Sequence, residues 1–363
     1  MTSVHDIFTT FGPEYLQRYA TAMPMTHRKV IDAITACRTE ACGIALYQCD
    51  SCAEPRQFYR SCGNRHCPTC QYTKTQQWLD KQFKRQLPGH HFLITFTVPE
   101  PLRSFMRQNQ RVGYAALFKA SSDAIKKLAL DRKHIGADLP GFFGVLHTWG
   151  RTLQYHPHIH YVVSGGAIRS TDHSWHPSRT DFFLPVKALS VIFRAKFRDL
   201  IKQARLFDQI PPAAWQIDWN VNCQAVGSSQ ATLKYLAPYV FKVAISNSRI
   251  VGVHDRTVRI RYRKPHSERS RILDLDVMEF IRRFLQHVLP TGFMKIRYYG
   301  FMNPNCKIAL DRIRGLIELS YGFTLDLPLP EIEPPRHNTC PSCGGLLKLR
   351  SVLAPAKILR RSG

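Results

Sequence analysis

The chain lacks the features that would send it into or across a membrane. Its opening residues, Met1-Thr2-Ser3-Val4-His5-Asp6, show no basic stretch followed by an apolar run, and no segment approaches the roughly 18 apolar residues of a membrane span. A soluble, unsecreted, cytoplasmic protein is expected. Acidic residues are scarce: 26 Asp and Glu stand against 51 Lys and Arg, a formal charge of +25. That excess is more than solubility requires and predicts a polyanionic partner. Because the cations are spread over the whole length, nucleic acid fits better than a membrane surface. There is no Gly-x-x-x-x-Gly-Lys loop, so no nucleotide cofactor is expected. Internal repeats and low-complexity tracts are also missing. With 363 residues, 44% of them hydrophobic, the chain can bury a real core in two or three domains.

Cysteine is nearly absent from the middle of the chain, where Cys223 stands alone, yet seven cysteines crowd between Cys37 and Cys70. Tight pairs of this kind indicate metal ligation in a reducing compartment rather than disulfides. Cys49-x-x-Cys52 and Cys67-x-x-Cys70 form two chelating pairs a loop apart, the arrangement that closes a tetrahedron around Zn2+. Cys37, Cys62 and His66 are further candidates, either replacing a thiolate or holding a second ion. A four-thiolate site has no open position, so its role is to fold and present basic residues such as Arg65, Lys74, Lys81, Lys84 and Arg85. Cys340-x-x-Cys343 is half a site, which His337 and Cys306 can complete.

The pattern divides the chain into three parts. Residues 1–85 open with helical periodicity (Tyr15, Tyr19, Val30, Ile34) and continue into the cysteine cluster. Residues 86–328 begin with a β-branched and aromatic strand from His91 to Val98. A helix near Leu117 to Leu130, strands from Phe142 to His147 and His158 to Val163, and a helix through Leu189, Phe193, Phe197 and Ile201 come next. Gly165-Gly166 is expected to end the hairpin. Residues 329–363 read as a basic tail or a second small metal knuckle.

Within the second part, His156-Pro157-His158-Ile159-His160 sits in an extended apolar run. Alternation along a strand sends His158 and His160 to the same face, a bidentate seat for a divalent ion. Buried, hydrogen-bonded histidines are the competing reading. His147, on the preceding strand, is a candidate third ligand, and Gln154 is another. Neutral nitrogen ligands with open positions suit Mg2+ or Mn2+ completed by substrate phosphate. Tyr235 and Tyr239 lie four apart, one turn on a helix, and Pro238 between them would kink it. A phenol becomes a nucleophile at neutral pH only with a polarised phosphate and a nearby cation, for which Lys242 is placed. In Val258-Arg259-Ile260-Arg261-Tyr262-Arg263, apolar residues and arginines alternate, giving either a phosphate-binding stripe or a solvated edge.

Together these motifs resemble the two-tyrosine rolling-circle transposases of insertion-sequence family ninety-one, within the His-hydrophobe-His nucleases. The resemblance runs through Cys37-Arg38-Thr39, Ser61-Cys62-Gly63-Asn64-Arg65-His66-Cys67-Pro68-Thr69-Cys70, Leu146-His147-Thr148-Trp149-Gly150, His156 to His160, Tyr235 to Tyr239 and Val243-Ala244-Ile245-Ser246-Asn247. It covers nearly the whole chain and departs at Pro238 and Cys42. It implies an α+β fold: an N-terminal zinc-binding, DNA-contacting domain, then a nuclease domain whose antiparallel sheet carries the histidines under packed helices. It further implies metal on His158 and His160, and Tyr235 and Tyr239 as nucleophiles that cleave and rejoin single DNA strands through a 5′-phosphotyrosyl link. Single-stranded element ends and target would be the partners, in a bacterial cytoplasm and on the nucleoid when bound. A replication initiator or relaxase of the same chemistry is an alternative reading. A zinc-containing DNA-binding regulator without catalysis is another.

Overall fold

The computed structural model describes residues 3–228, 244–264, 267–322 and 339–355. In chain order the strands are β1 (Ile44–Cys49), β2 (Pro55–Tyr59), β3 (His90–Thr97), β4 (Leu139–Trp149), β5 (Tyr155–Ile168), β6 (Trp175–Pro177), β7 (Asn220–Ser228), β8 (Ile250–His254), β9 (Thr257–Arg263), β10 (Ser270–Asp276), β11 (Ile296–Tyr299) and β12 (Leu347–Leu353). They belong to two compact units that are not consecutive segments. One lies within Met1–Lys74, Phe241–Val288 and Pro330–Gly363, the other within Thr75–Val240 and Leu289–Leu329.

The second unit is built on an antiparallel sheet in the order β11-β4-β5-β3-β7, with β6 paired to β5. Period-two alternation sorts its side chains. Phe92, Ile94 and Phe96 of β3, Phe142 and Leu146 of β4, and Ile159, Tyr161 and Val163 of β5 all enter one core. The helices Gln110–Leu130 and Val186–Gln203 cover that face. The second of these carries Leu189, Phe193, Phe197 and Ile201 at i, i+4 spacing, all fully buried. Each such side chain contributes about 1.5–3 kcal/mol of burial. The rings interlock edge to face, Phe96 lying 5.1 Å from Phe193 and 5.8 Å from Tyr161. Buried hydroxyls are satisfied in pairs, Tyr114 with Tyr155 and Ser121 with Tyr161, each at 2.7 Å. This is the α+β arrangement expected, an antiparallel sheet with helices packed on it.

One expectation is corrected. β5 does not stop at Gly165-Gly166 but runs through both to Ile168. The glycines are there because rings cross the strand. A Cβ on Gly165 would stand 2.3 Å from the His90 ring, and one on Gly166 2.5 Å from Trp175.

The first unit opens with helix Val4–Tyr19, whose Ser3 and Asp6 form a reciprocal capping box. Its Val4, Ile7 and Phe8 are buried, as are Val30, Ile31 and Ile34 of helix Met25–Thr35. Phe8 meets Phe284 of helix Val277–Leu285 at 5.1 Å. Among the described residues, the unit also holds two three-stranded antiparallel sheets, β12-β1-β2 and β10-β9-β8. Leu347–Leu353, in the segment read as a tail or a second metal knuckle, pairs along β1, from Ile44 opposite Leu353 to Cys49 opposite Leu347. Among the described residues, no helix is long and apolar enough to cross a membrane.

Candidate functional site

On the sheet face opposite the aromatic core, His147, His158 and His160 converge. Alternation puts Ile159 and Tyr161 into the core and leaves His158 and His160 on the other side. The β4–β5 register then sets His147 directly opposite His158. One ring nitrogen from each of the three lies within 4.8 Å of the others. Ring centroids are 5.3 Å apart for His147 and His158, and 4.8 Å apart for both His147 and His158 against His160. His147 is 2% exposed.

Neighbouring groups orient the rings. The Nδ1–H of His158 donates to the His156 carbonyl at 2.7 Å, which leaves its Nε2 lone pair for a cation. Thr95 Oγ1 lies 2.8 Å from His160 Nδ1, placed there because Thr95 pairs with His160 across β3 and β5. Burial depresses both imidazoles, His158 well below the ordinary histidine range and His160 to about 4. They are therefore neutral at physiological pH, the form that ligates metal. Three imidazole nitrogens on one face can hold a divalent ion and leave positions open for oxygen ligands. His156 stands outside this group, its Nδ1 accepting from Arg103 at 3.1 Å. Gln154 is committed to its own turn, where its Oε1 accepts from the Thr152 backbone and hydroxyl.

The cysteines form two tetrads, and the structure does not unite the two pairs that the spacing suggested. Cys67 and Cys70 join Cys37 and Cys62, with Sγ separations of 3.6 Å for Cys37–Cys70, Cys62–Cys70 and Cys37–Cys67. Zinc–sulfur bonds of about 2.3 Å in a tetrahedron place sulfurs roughly 3.8 Å apart, so this tetrad fits one ion. The Cys62 thiol, hydrogen-bonded to Cys67, draws the latter down to about 5. Cys49 and Cys52 instead meet Cys340 and Cys343. His66 and Cys306 stand outside both tetrads, and His337 lies outside the described residues. The pairs differ in local backbone. Cys67-Pro68-Thr69-Cys70 starts the helix Pro68–Lys84, whereas Cys343 is succeeded by Gly344-Gly345 and closes a turn.

Of the basic candidates, Arg259, Arg261 and Arg263 are exposed on β9 with Val258 and Ile260 buried between them, as alternation requires. Arg259 pairs with Asp274 at 3.2 Å. Lys74 is exposed and donates to the Gly63 carbonyl at 3.4 Å, while Arg65 is half-buried. Sequence reasoning missed a groove on the β12-β1-β2 sheet, lined by Arg38, Tyr47, Phe58, Tyr59 and Arg60 among others. Its signal was the run Phe58-Tyr59-Arg60, aromatic residues beside a cation on a strand. Thr95 was missed too, although alternation from Ile94 and Phe96 already placed it on the histidine face. Tyr235, Tyr239 and Lys242 lie outside the described residues.

Comparison with known proteins agrees with this architecture. A family model described as "Transposase zinc-binding domain" matches residues 7–98, and one described as "Putative transposase" matches residues 141–309. The "Putative transposase y4qJ" of Sinorhizobium fredii is 34% identical, over 94% of this chain and 92% of its own length. The "Transposase for insertion sequence element IS801" of Pseudomonas savastanoi pv. phaseolicola is 26% identical, over 80% of this chain and 74% of its own. No solved structure matches the chain. Similar over nearly its whole length to one such protein, and matched in order by both family models, the chain belongs to the IS91 family of insertion-sequence transposases, DNA-processing enzymes with an N-terminal zinc-binding domain.

Proposed function

We propose that this transposase cleaves and rejoins single DNA strands at element ends by metal-assisted attack of a tyrosine, in the rolling-circle manner. The observation that carries the reading is the convergence of His147, His158 and His160 on one sheet face. A divalent ion held by their nitrogens, Mg2+ or Mn2+, would supply charge to a non-bridging oxygen of the scissile phosphate. The Tyr235 or Tyr239 phenol loses its proton and its oxygen bonds to phosphorus. The bond from phosphorus to the 3′ oxygen breaks, leaving a 5′-phosphotyrosyl link and a free 3′-hydroxyl. Ester exchanges for ester, so no nucleotide is consumed. Lys242 is assigned to steadying the phenolate, and a second tyrosine permits a second transfer while the first end is held.

Chain length supports this assignment. β7 ends at Ser228, which pairs with His90, and Thr95, the neighbour of His160, stands five residues further along β3. That is about 17 Å at the rise of a strand. The seven residues from Ser228 to Tyr235 span at most about 25 Å, so the tether suffices for either phenol. Exposed cations on the first unit, Lys74 and the Arg259, Arg261 and Arg263 stripe, are assigned to DNA phosphates.

The test is incubation with single-stranded element ends and Mn2+, followed by denaturing electrophoresis. A covalent protein–DNA band is expected, lost when both tyrosines become phenylalanine. Free cleaved product with no adduct would instead indicate a hydrolase. DNA binding without cleavage under any metal condition would indicate a regulator.

A further inference from the structure

The zinc-binding family model spans residues 7–98, yet one of the two cysteine tetrads draws half its sulfurs from beyond residue 338. We propose that Cys49, Cys52, Cys340 and Cys343 hold a second zinc ion, so that the N-terminal zinc domain is completed by the C-terminal segment of the chain.

The sulfur geometry fits a single tetrahedral ion. Cys49 Sγ lies 3.4 Å from Cys343 Sγ, and Cys52 Sγ 3.8 Å from Cys340 Sγ, against the roughly 3.8 Å that bonds of about 2.3 Å impose. The two contributing loops share a form. In each, the residue after the second cysteine is left-handed, Ala53 at φ 59° and Gly344 at φ 74°. In each, the first cysteine's N–H also closes the loop, Cys49 donating to the Glu54 carbonyl at 3.0 Å and Cys340 to the Gly345 carbonyl at 2.7 Å. Two such turns facing one another present four thiolates to one point.

The loops are fitted to each other. A Cβ on Gly345 would lie 2.9 Å from Cys49 Sγ and 2.4 Å from Ser51 Oγ, so only glycine admits this approach. The Asp50 N–H donates to the Leu346 carbonyl at 3.0 Å. Apolar burial here is small. Cys49, Cys340 and Leu347 form the local core with Tyr47 packed against it, and the rest of β12 is exposed. A cluster of this size cannot offset the entropy of holding a strand against a partner nearly 300 residues away, and a structural metal supplies that free energy.

The test is zinc content of the full chain, measured by mass spectrometry in a His158→Ala, His160→Ala background so that the imidazoles add no ion. Two zinc ions per chain are expected. Cys340→Ser with Cys343→Ser should leave one, Cys49→Ser with Cys52→Ser should leave one, and all four substitutions together should still leave one. A starting content of one, an unchanged content in Cys340→Ser with Cys343→Ser, or a further loss in the combined variant overturns the proposal. Thiol alkylation of the unsubstituted protein provides a measurement independent of variant folding. Cys49, Cys52, Cys340 and Cys343 should become reactive together at one chelator concentration. Reaction of Cys340 and Cys343 before chelation, or without the other two, also overturns it.

Discussion

His147 and His158 face each other across the β4–β5 ladder, paired in register with their rings edge to face at 5.3 Å. The pairing makes the third nitrogen of the cluster a product of strand register. A slip of one residue would turn His147 into the aromatic core and dissolve the group. His147→Ala, His158→Ala and His160→Ala are therefore each expected to weaken Mn2+ binding at least about tenfold and to abolish the covalent DNA adduct. Calorimetric titration with Mn2+ checks the first effect. Normal Mn2+ affinity in His147→Ala would remove that residue from the ligand set.

On the proposed reading, Thr95 would act on the same ion through His160. Its hydroxyl, 2.8 Å from Nδ1, orients the ring and would so set which nitrogen faces the ion. Thr95→Val preserves shape and removes the hydrogen bond, so a loss of about 10- to 100-fold in Mn2+ affinity is expected. Thr95→Ser should restore most of it. If Ser fails to rescue while the variant stays folded, the hydroxyl is not the operative group.

The histidine face was legible because a strand's period of two is local. Once His158 and His160 were placed in an extended run, their common side was determined, and alternation applied to Ile94 and Phe96 would have exposed Thr95 as well. The arginine stripe of β9 was legible for the same reason, since Val258 and Ile260 must point inward together. The sulfur partnership was not. Cys49 and Cys52 lie nearer in sequence to Cys67 and Cys70 than to Cys340 and Cys343, and proximity along the chain says nothing about a closure of this length. Backbone form separates only the Cys-x-x-Cys pairs, with a left-handed residue after Cys52 and Cys343 and a helix from Pro68; left-handed residues also follow Cys37 and Cys62. Gly344-Gly345 hints at it, whereas Ala53 does not. Gly165-Gly166 misled for a related reason. The spacing signals a turn, while the structure uses the missing Cβ atoms to pass His90 and Trp175.

His91 predicts how the second unit responds to acid. It is 4% exposed, its Nδ1–H donates to the Gly89 carbonyl at 3.2 Å, and burial lowers its pKa from 6.5 to about 4. The folded state thus resists a proton that the unfolded chain accepts. Its contribution to stability is intact above pH 6.5, falls by up to about 1.4 kcal/mol per pH unit below that, and levels off near pH 4. All five tryptophans, at positions 78, 149, 175, 215 and 219, belong to this unit, so urea unfolding followed by their fluorescence reports on it alone. His91→Asn retains a donor without a titrating group and should show a shallower loss between pH 6.5 and 4.5. Parallel curves for the two proteins would show that His91 does not govern the response.

The groove on the β12-β1-β2 sheet sets the last expectation. Phe58 and Tyr59 are 45% and 53% exposed, and Arg38 and Arg60 line the same groove. Exposed rings beside guanidinium groups suit unpaired nucleobases, which stack on any aromatic face while the phosphates meet the cations. Phe58→Ala and Tyr59→Ala should each cost about 1–3 kcal/mol of affinity for single-stranded DNA, and Arg60→Gln should lower the slope of log affinity against log salt by about 0.7. Fluorescence anisotropy with a labelled oligonucleotide measures both. An abasic oligonucleotide of the same length separates stacking from charge: the aromatic variants should match the unsubstituted protein on it, and the arginine variant should not. If the aromatic variants lose as much affinity for abasic strands as for normal ones, the rings support the fold of the sheet and do not bind bases.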